Sequence, residues 1–464
     1  MEYGLSSMRS LIRPLHALCR WRWRPLVCTC LVVAGVLLGG CATYHALPLP
    51  EHAGSAQQLS ELRGIGAADV PLSMAAVERL VLLNNPDLRS ARAQHEVAQA
   101  QMLQAGLLPN PSVNGSIGYL LSGVGDATAW SAGISEDLKA LITLKSRRTA
   151  AKAAAAQVDA SLLWQEWQTV GKARLLVVDL SEGERLLTLQ QHGVELLERR
   201  SQRLRQSLHD GNTELAAASP DLAAAAEARA ALDELQRRLL GQRHELAVLL
   251  GVAPDVVIPL QSPLALPPVD AAKIREDADT IQRRRPDLVA LQLGYQAQEA
   301  TLRAAVLAQF PTLSIGYSAS QDNSRVRNGG PAITFELPIF DRNQGNIAIA
   351  KATRQQLHDE YRGRLNAAHD EIVGLLAEQA QARAQLAALQ PRVREAVQQA
   401  AQADKAWQDG LIDLRSYVDL AVAAQTRQTA IITLQQALLE QQVALDTLVG
   451  TGMPISLPQD VIAP

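Results

Sequence analysis

The chain states one pattern twice, about two hundred residues apart. Residues 84–119 open on NNPDL and close on SIGY, and residues 285–317 open on RPDL and close on SIGY. Asp210-Gly211 returns as Asp409-Gly410, and Leu249-Leu250-Gly251 as Leu448-Val449-Gly450. That spacing is far too long for a solenoid repeat. It fits a duplicated half-molecule, an arrangement common among membrane transport proteins, and it points to a conduit rather than to a catalyst.

Ahead of the repeats lies an address. Arg9, Arg13, Arg20, Arg22 and Arg24 make a positive first region. The apolar run from Leu26 to Leu38 is too short to span a bilayer comfortably. The segment ends in Leu38-Gly39-Gly40-Cys41, which resembles the bacterial lipobox. That resemblance implies cleavage before Cys41 and a covalent lipid on its thiol. Residue 42 is Ala rather than Asp, which by the same resemblance sends the protein to the outer membrane. The other cysteines, Cys19, Cys28 and Cys30, fall inside the signal segment. Beyond Cys41 neither a disulfide framework nor a thiolate metal site can form.

Composition narrows the class further. The chain is 47% hydrophobic but only 3% aromatic, as expected of long helices packed through small side chains. A net charge of −3 offers no basic surface for nucleic acid. No segment after residue 41 reaches eighteen consecutive apolar residues, so any membrane crossing must use strands.

The expected organisation follows from these signals. Residues 1–40 are a lipoprotein signal peptide and 41–72 a lipid-anchored linker rich in Pro, Gly and Ser. The first repeat, 73–255, holds a helix, a β-hairpin at 111–138, a long helix at 146–209 and a return helix at 214–250. A Pro-rich connector covers 256–284. The second repeat, 285–452, holds a helix, a hairpin at 312–340, a long helix at 343–409 and a return helix at 412–449. A tail, 453–464, follows. In the second hairpin the strands are expected at 312–321 and 332–340, with the turn at 325–330. Each strand should run ~9–11 residues, enough to cross a bilayer when tilted.

Each long helix would reach roughly 90–100 Å, a coiled-coil length. Residues Tyr361, Leu365, Ala368, Ile372, Leu375, Gln379, Ala382, Leu386, Leu389, Val393, Ala396 and Ala400 alternate in fours and threes, as do Val194, Leu197, Ser201, Leu204 and Leu208. That 3.5-residue period predicts supercoiled helix pairs. Pro391 should bend its helix, and Ser219-Pro220 reads as an N-cap with a first-turn proline. Gly211 and Gly410 supply the left-handed residue at which each long helix reverses.

Four bilayer-length strands cannot stand alone in lipid, where open sheet edges find no water, so copies of the chain must share one barrel. The NPDL-type helix, the break at LPN or FPT into a hairpin, the long helix to a glycine turn and the closing LLGVAP resemble the TolC family of outer-membrane efflux proteins. The likeness covers about residues 73–452. It implies a mainly α fold with a small β part: long helical hairpins forming a periplasmic α-barrel, and four strands per chain in a trimeric transmembrane β-barrel. It also implies a homotrimer in the outer membrane of a Gram-negative bacterium. The trimer would dock onto a periplasmic adaptor protein and an inner-membrane pump, of the resistance-nodulation-division type, for export of drugs or metal ions. Two other readings stand beside it: a lipid-anchored periplasmic coiled-coil scaffold without a pore, and a duct for type I protein secretion.

By resemblance, the adaptor would meet the tips Gly211, Asn212 and Thr213, and Gly410, Leu411 and Ile412. Asp404, Asp409 and Asp210, within two turns of those tips, are candidates for a carboxylate gate; the bland alternative is solvated helix-end charge. The histidines show no paired metal-ligand spacing on a helix face, and no nucleophile–base cluster appears, so neither a metal site, a cofactor nor an enzyme activity is assigned. Arg199, Arg200, Arg203 and Arg205 read as a solvated face with Glu195 and Glu198.

Overall fold

The computed structural model describes residues 44–52, 54–66, 70–264, 266 and 269–450. The chain divides at Gly54/Ser55, and everything that follows concerns the unit beginning at Ser55. In order, the elements are α1 (Met74–Asn84), α2 (Pro86–Gly106), β1 (Ser112–Gly118), β2 (Ala129–Asp137) and α3 (Lys139–His209). Then come α4 (Leu215–Leu250), α5 (Ala271–Asp279), α6 (Ile281–Arg284) and α7 (Pro286–Leu307). The chain closes with β3 (Leu313–Gln321), β4 (Arg327–Phe335), α8 (Gln344–Gln408) and α9 (Leu414–Val449). The architecture is mainly helical, with one small antiparallel sheet.

Helix α3, with 71 residues, spans roughly 105 Å. It packs against α1, α2, α4, α7 and α9 and so ties both repeats together. Its close neighbours need small residues: a Cβ on Gly183 would strike Leu239 of α4. The main core lies where α1, α3 and α4 meet, around Leu80, Val177, Leu180, Leu239, Leu246 and Leu250. A second core joins α5, α6, α7, α8 and α9 around Leu288, Ile372 and Leu445. On α8 the seam follows the heptad at Ala368, Ile372, Gln379, Ala382, Val393 and Ala396, with Leu376 buried where Leu375 was expected. Asn85 marks the start of the first repeat: its carboxamide caps α2 through Leu88 N and donates to Leu249 O at the end of α4.

Several boundaries differ from the expectations, each for a local reason. Helix α3 begins at Lys139, not 146, because the Asp137 carboxylate accepts the Lys139 N–H and no breaker separates strand from helix. Helix α4 begins at Leu215 with Glu214 at its N-cap, so Pro220 lies inside the helix rather than in the first turn. The connector is partly helical: Asp270 caps α5 through Ala272 N and Lys273 N. The linker also packs, since Leu62 and Leu72 are buried and Leu72 bridges to Leu260. Strand β1 has seven residues, short of the expected length, while the others have nine.

The second hairpin turns earlier than its glycines suggest. The Asp322 carboxylate accepts N–H groups from Ser324 and Val326, and Arg325 takes a left-handed φ of 65°. This side-chain turn at residues 322–326 leaves Gly329, Gly330 and Pro331 inside β4. Proline is tolerated there because β4 is an edge of the sheet.

Candidate functional site: a two-faced sheet and two glycine tips

The four strands lie in the order β1-β2-β3-β4, all antiparallel, so β1 and β4 are open edges. Side chains alternate across a strand, so the register sorts every residue onto one face or the other. One face carries Val113 and Ile117, then Trp130 and Ile134, then Ile315 and Tyr317, then Ile333 and Phe335. These are large and exposed: Val113 by 79% and Ile333 by 70%. Polar residues appear on this face only at its ends, Glu136 on one side and Gln321 with Arg327 on the other. The opposite face consists of Ser, Thr, Asn, Gly and Ala, with Asp137 at its foot. Its hydroxyls meet across strands, Ser116 Oγ to Ser131 Oγ at 2.9 Å and Ser112 Oγ to Ser135 Oγ at 2.8 Å.

An exposed apolar face with aromatic residues and a polar fringe suits the lipid side of a membrane barrel, and a hydroxyl face suits its lumen. Glycine on the hydroxyl face permits close approach of the strands, since a Cβ at Gly316 would strike Ile134 O. Because each copy contributes an even number of antiparallel strands, β4 of one copy can meet β1 of the next antiparallel, and the sheet can close. Among the described residues, no helix is long and apolar enough to cross a membrane.

The far ends of the helical hairpins repeat one reversal. In α3, Gly211 N donates to Leu208 O and Asn212 N to Ser207 O. In α8, Gly410 N donates to Trp407 O and Leu411 N to Ala406 O. With φ values of +71° and +73° at the glycines, both are Schellman ends. The two tips then diverge. Thr213 folds back onto Ser207 through their hydroxyls, and Asn212 is exposed. Ile412 packs inward with Trp407, Tyr417 and Leu196, and Leu411 stands 76% exposed.

The three tip carboxylates are not brought into one cluster within a chain. Asp210 accepts from Gln206 on its own helix. Asp404 accepts from Gln408 and lies beside Tyr417, whose hydroxyl pKa is pushed up by burial and then by the charge of Asp404. Asp409 forms the C-cap of α8. What ties the hairpins together is instead Arg200, which corrects the reading of a solvated arginine face. Arg200 is 5% exposed and reaches from α3 to Asp221 on α4 and to Asp419 on α9, at 2.5 Å in the second case. Burial opposes its charge, but the two carboxylates hold its pKa above the ordinary value. The available signal was the pair Asp221 and Asp419, each about two turns into a return helix.

Higher on the bundle a second polar junction joins three helices. Asp179 of α3 accepts from Gln242 of α4 and Gln436 of α9, and Gln436 also donates to Glu440. Burial, and a hydrogen bond to Asp179, push the Glu440 carboxyl up to about 7. Elsewhere, His95 pairs with Asp159, and no group of three or more His, Cys, Asp or Glu able to hold a metal occurs among the described residues. Cys41 lies outside the described residues.

Comparison with known proteins places this geometry. Residues 278–451 match the family model described as "Outer membrane efflux protein". The Cation efflux system protein CusC of Escherichia coli K12 is 25% identical over 460 residues, covering 92% of this chain and 98% of the relative. A membrane protein from Pseudomonas aeruginosa has the same fold, with a TM-score of 0.67 at 20% identity, covering 91% of this chain and all of that one. The CmeC outer membrane channel of Campylobacter jejuni is similar, with a TM-score of 0.66 at 15% identity over 90% of this chain and 96% of that one. Residues 278–451 therefore carry an outer membrane efflux protein domain.

Proposed function

We propose that the protein is the outer-membrane channel of a tripartite efflux pump, a passive exit duct rather than an enzyme. The observation that carries this reading is the sheet with one face apolar between polar ends, one hydroxyl face and two unpaired edges. In three copies it would close as a twelve-stranded barrel, continuous with a periplasmic tube of α3, α4, α8 and α9. Three copies agree with the resemblance, and twelve strands fall within the sizes that bacterial barrels adopt. Energy for export must then come from an inner-membrane pump, reached through a periplasmic adaptor that docks at the two glycine tips. The full-length likeness to a cation efflux protein favours small solutes, metal ions among them, over secreted polypeptides. The lipobox supports a lipid on Cys41, which would add an anchor beside the barrel.

Purified full-length protein tests the reading. In a planar bilayer it should give stepwise conductance, and unheated samples should migrate as an oligomer that heating in detergent dissociates. A protein that stays monomeric in detergent and forms no channels would instead support the poreless scaffold.

A further inference from the structure

We propose that the first turns of α3 form a docking strip for anionic lipid headgroups of the periplasmic leaflet. The proposal rests on the exit-duct reading and adds a partner to it, the phosphate-bearing lipids around the inner rim of the barrel. Between Asp137 and Asp159 the chain holds five cations, Lys139, Lys145, Arg147, Arg148 and Lys152, and no carboxylate. Leu141, Lys145, Arg148 and Lys152 recur at intervals of four and three, so they line one stripe of the helix. All four are exposed. Arg148 donates one nitrogen to Gly106 O at the end of α2, and Lys145 and Lys152 have no carboxylate partner among the described residues. The nearest carboxylates stand at the strand feet. Asp137 and Glu336 lie on the hydroxyl face, and Asp137 accepts from Lys139 N. Glu136 ends the apolar face, and Asp341 accepts from Asn343 N with Arg342 beside it. Against five cations these leave the strip positive.

The stripe faces outward and stands at headgroup level. Both flanks of α3 are filled within the chain: Ala151, Ala155 and Val158 face α2, and Ala160 packs on Val289 and Leu293 of α7. The stripe therefore opens either into the bore or away from it. Lower on α3 the same side reaches Arg174 and Val177, and there α1 covers it. Arg174 pairs with Glu78, and Val177 joins the core around Leu80. Such a layer of helix and linker from every copy would obstruct a bore, so this side of the wall is the outer one. On β2 the apolar face runs from Trp130 to Ile134, about 13 Å, roughly half of the ~25 Å band a barrel needs. Leu141 and Ile142, 46% and 51% exposed, extend that band beyond the strand. Lys145, Arg148 and Lys152 follow Leu141 by about 6, 10 and 16 Å along the helix. Their long side chains bring the charges back toward the lipid phosphates, which ammonium and guanidinium groups hold well.

The test counts lipids on the full-length protein. It is purified in detergent with phosphatidylglycerol and phosphatidylcholine of identical chains at equal mole fraction, and native mass spectra count the lipids each intact oligomer retains. The expected ratio of phosphatidylglycerol to phosphatidylcholine is roughly fivefold or more. In Lys145→Gln/Arg148→Gln/Lys152→Gln it should fall close to one. Arg199→Gln/Arg203→Gln/Arg205→Gln removes the same charge near the far end of α3 and should keep the parent ratio. A parent ratio close to one, or equal losses in the two triple variants, overturns the proposal. A large excess of inorganic phosphate should displace none of the lipid; displacement would make this a phosphate-ion site and overturn the lipid assignment. If the near-end triple variant does not assemble, Lys145→Gln alone gives the same comparison with a smaller drop, and an unchanged ratio there overturns the strip. The exit-duct reading fails separately: the parent protein would then form no channels in a planar bilayer while keeping its lipid preference.

Discussion

Arg200 sits in a run of basic residues whose local spacing suggests only a solvated helix face. The i,i+4 rule cannot see that Asp221 and Asp419 arrive from two other helices to bury it. Tertiary approach of that kind is what a one-dimensional reading misses. Removing the guanidinium leaves two carboxylates facing each other, so Arg200→Ala should destabilise the tip by about 2–4 kcal/mol. The loss should be local: amide exchange should speed up in the first turns of α9 and in α4 near Asp221, while the core around Leu180 stays protected. Unchanged exchange at the tip would show that the triad holds nothing together. Leu411 gives the opposite case, a residue whose role is external. At 76% exposure it makes little internal packing, so Leu411→Asp should change the melting temperature little. If the tip meets the adaptor, the same change should abolish efflux in cells and co-purification of the adaptor, whereas intact efflux would remove Leu411 from the interface.

At the scale of elements, long-range periodicity was the readable signal and local polar chemistry the unreadable one. Heptad spacing foretold the buried seam of α8, because burial repeats with the helix. The early turn of the second hairpin escaped it, because the Asp322 carboxylate outweighs the glycines that follow. The Asp179–Glu440 contact escaped it too, since the two residues come from opposite repeats. That contact has a pH consequence. A carboxyl whose folded pKa stands near 7, against an ordinary 4.5, favours the folded state most when protonated. Stability from this site is therefore full below about pH 4.5, declines through the window up to 7, and is flat above it. Because Glu440 is half exposed, the span should be only about 1–2 kcal/mol. Glu440→Gln keeps a donor toward Asp179 and removes the titration. Its melting temperature should match the parent near pH 5 and exceed it near pH 8. A parallel pair of curves would rule the site out as a source of pH dependence.

For the whole molecule, the decisive fact is that the sheet of one chain is unfinished. Hydrophobic alternation made the strands legible, but it does not specify the partner of an edge. Edge pairing is settled by strand direction and by lipid, which will not solvate unpaired N–H and C=O groups. Strand β4 should therefore meet β1 of the next copy. The chain lacks cysteine beyond Cys41, so paired substitutions report the contact cleanly. Asn114→Cys on β1 combined with Asn328→Cys, Gly330→Cys or Ala332→Cys on β4 brackets the register that barrel shear can select. At one of the three positions, mild oxidation should produce covalent dimers and trimers and no larger species, because a closed ring leaves no free edge. Open-ended ladders would mean that the sheet adds copies without closing. No crosslink at any position would mean that β1 and β4 are not neighbours, and the barrel would have to be built some other way.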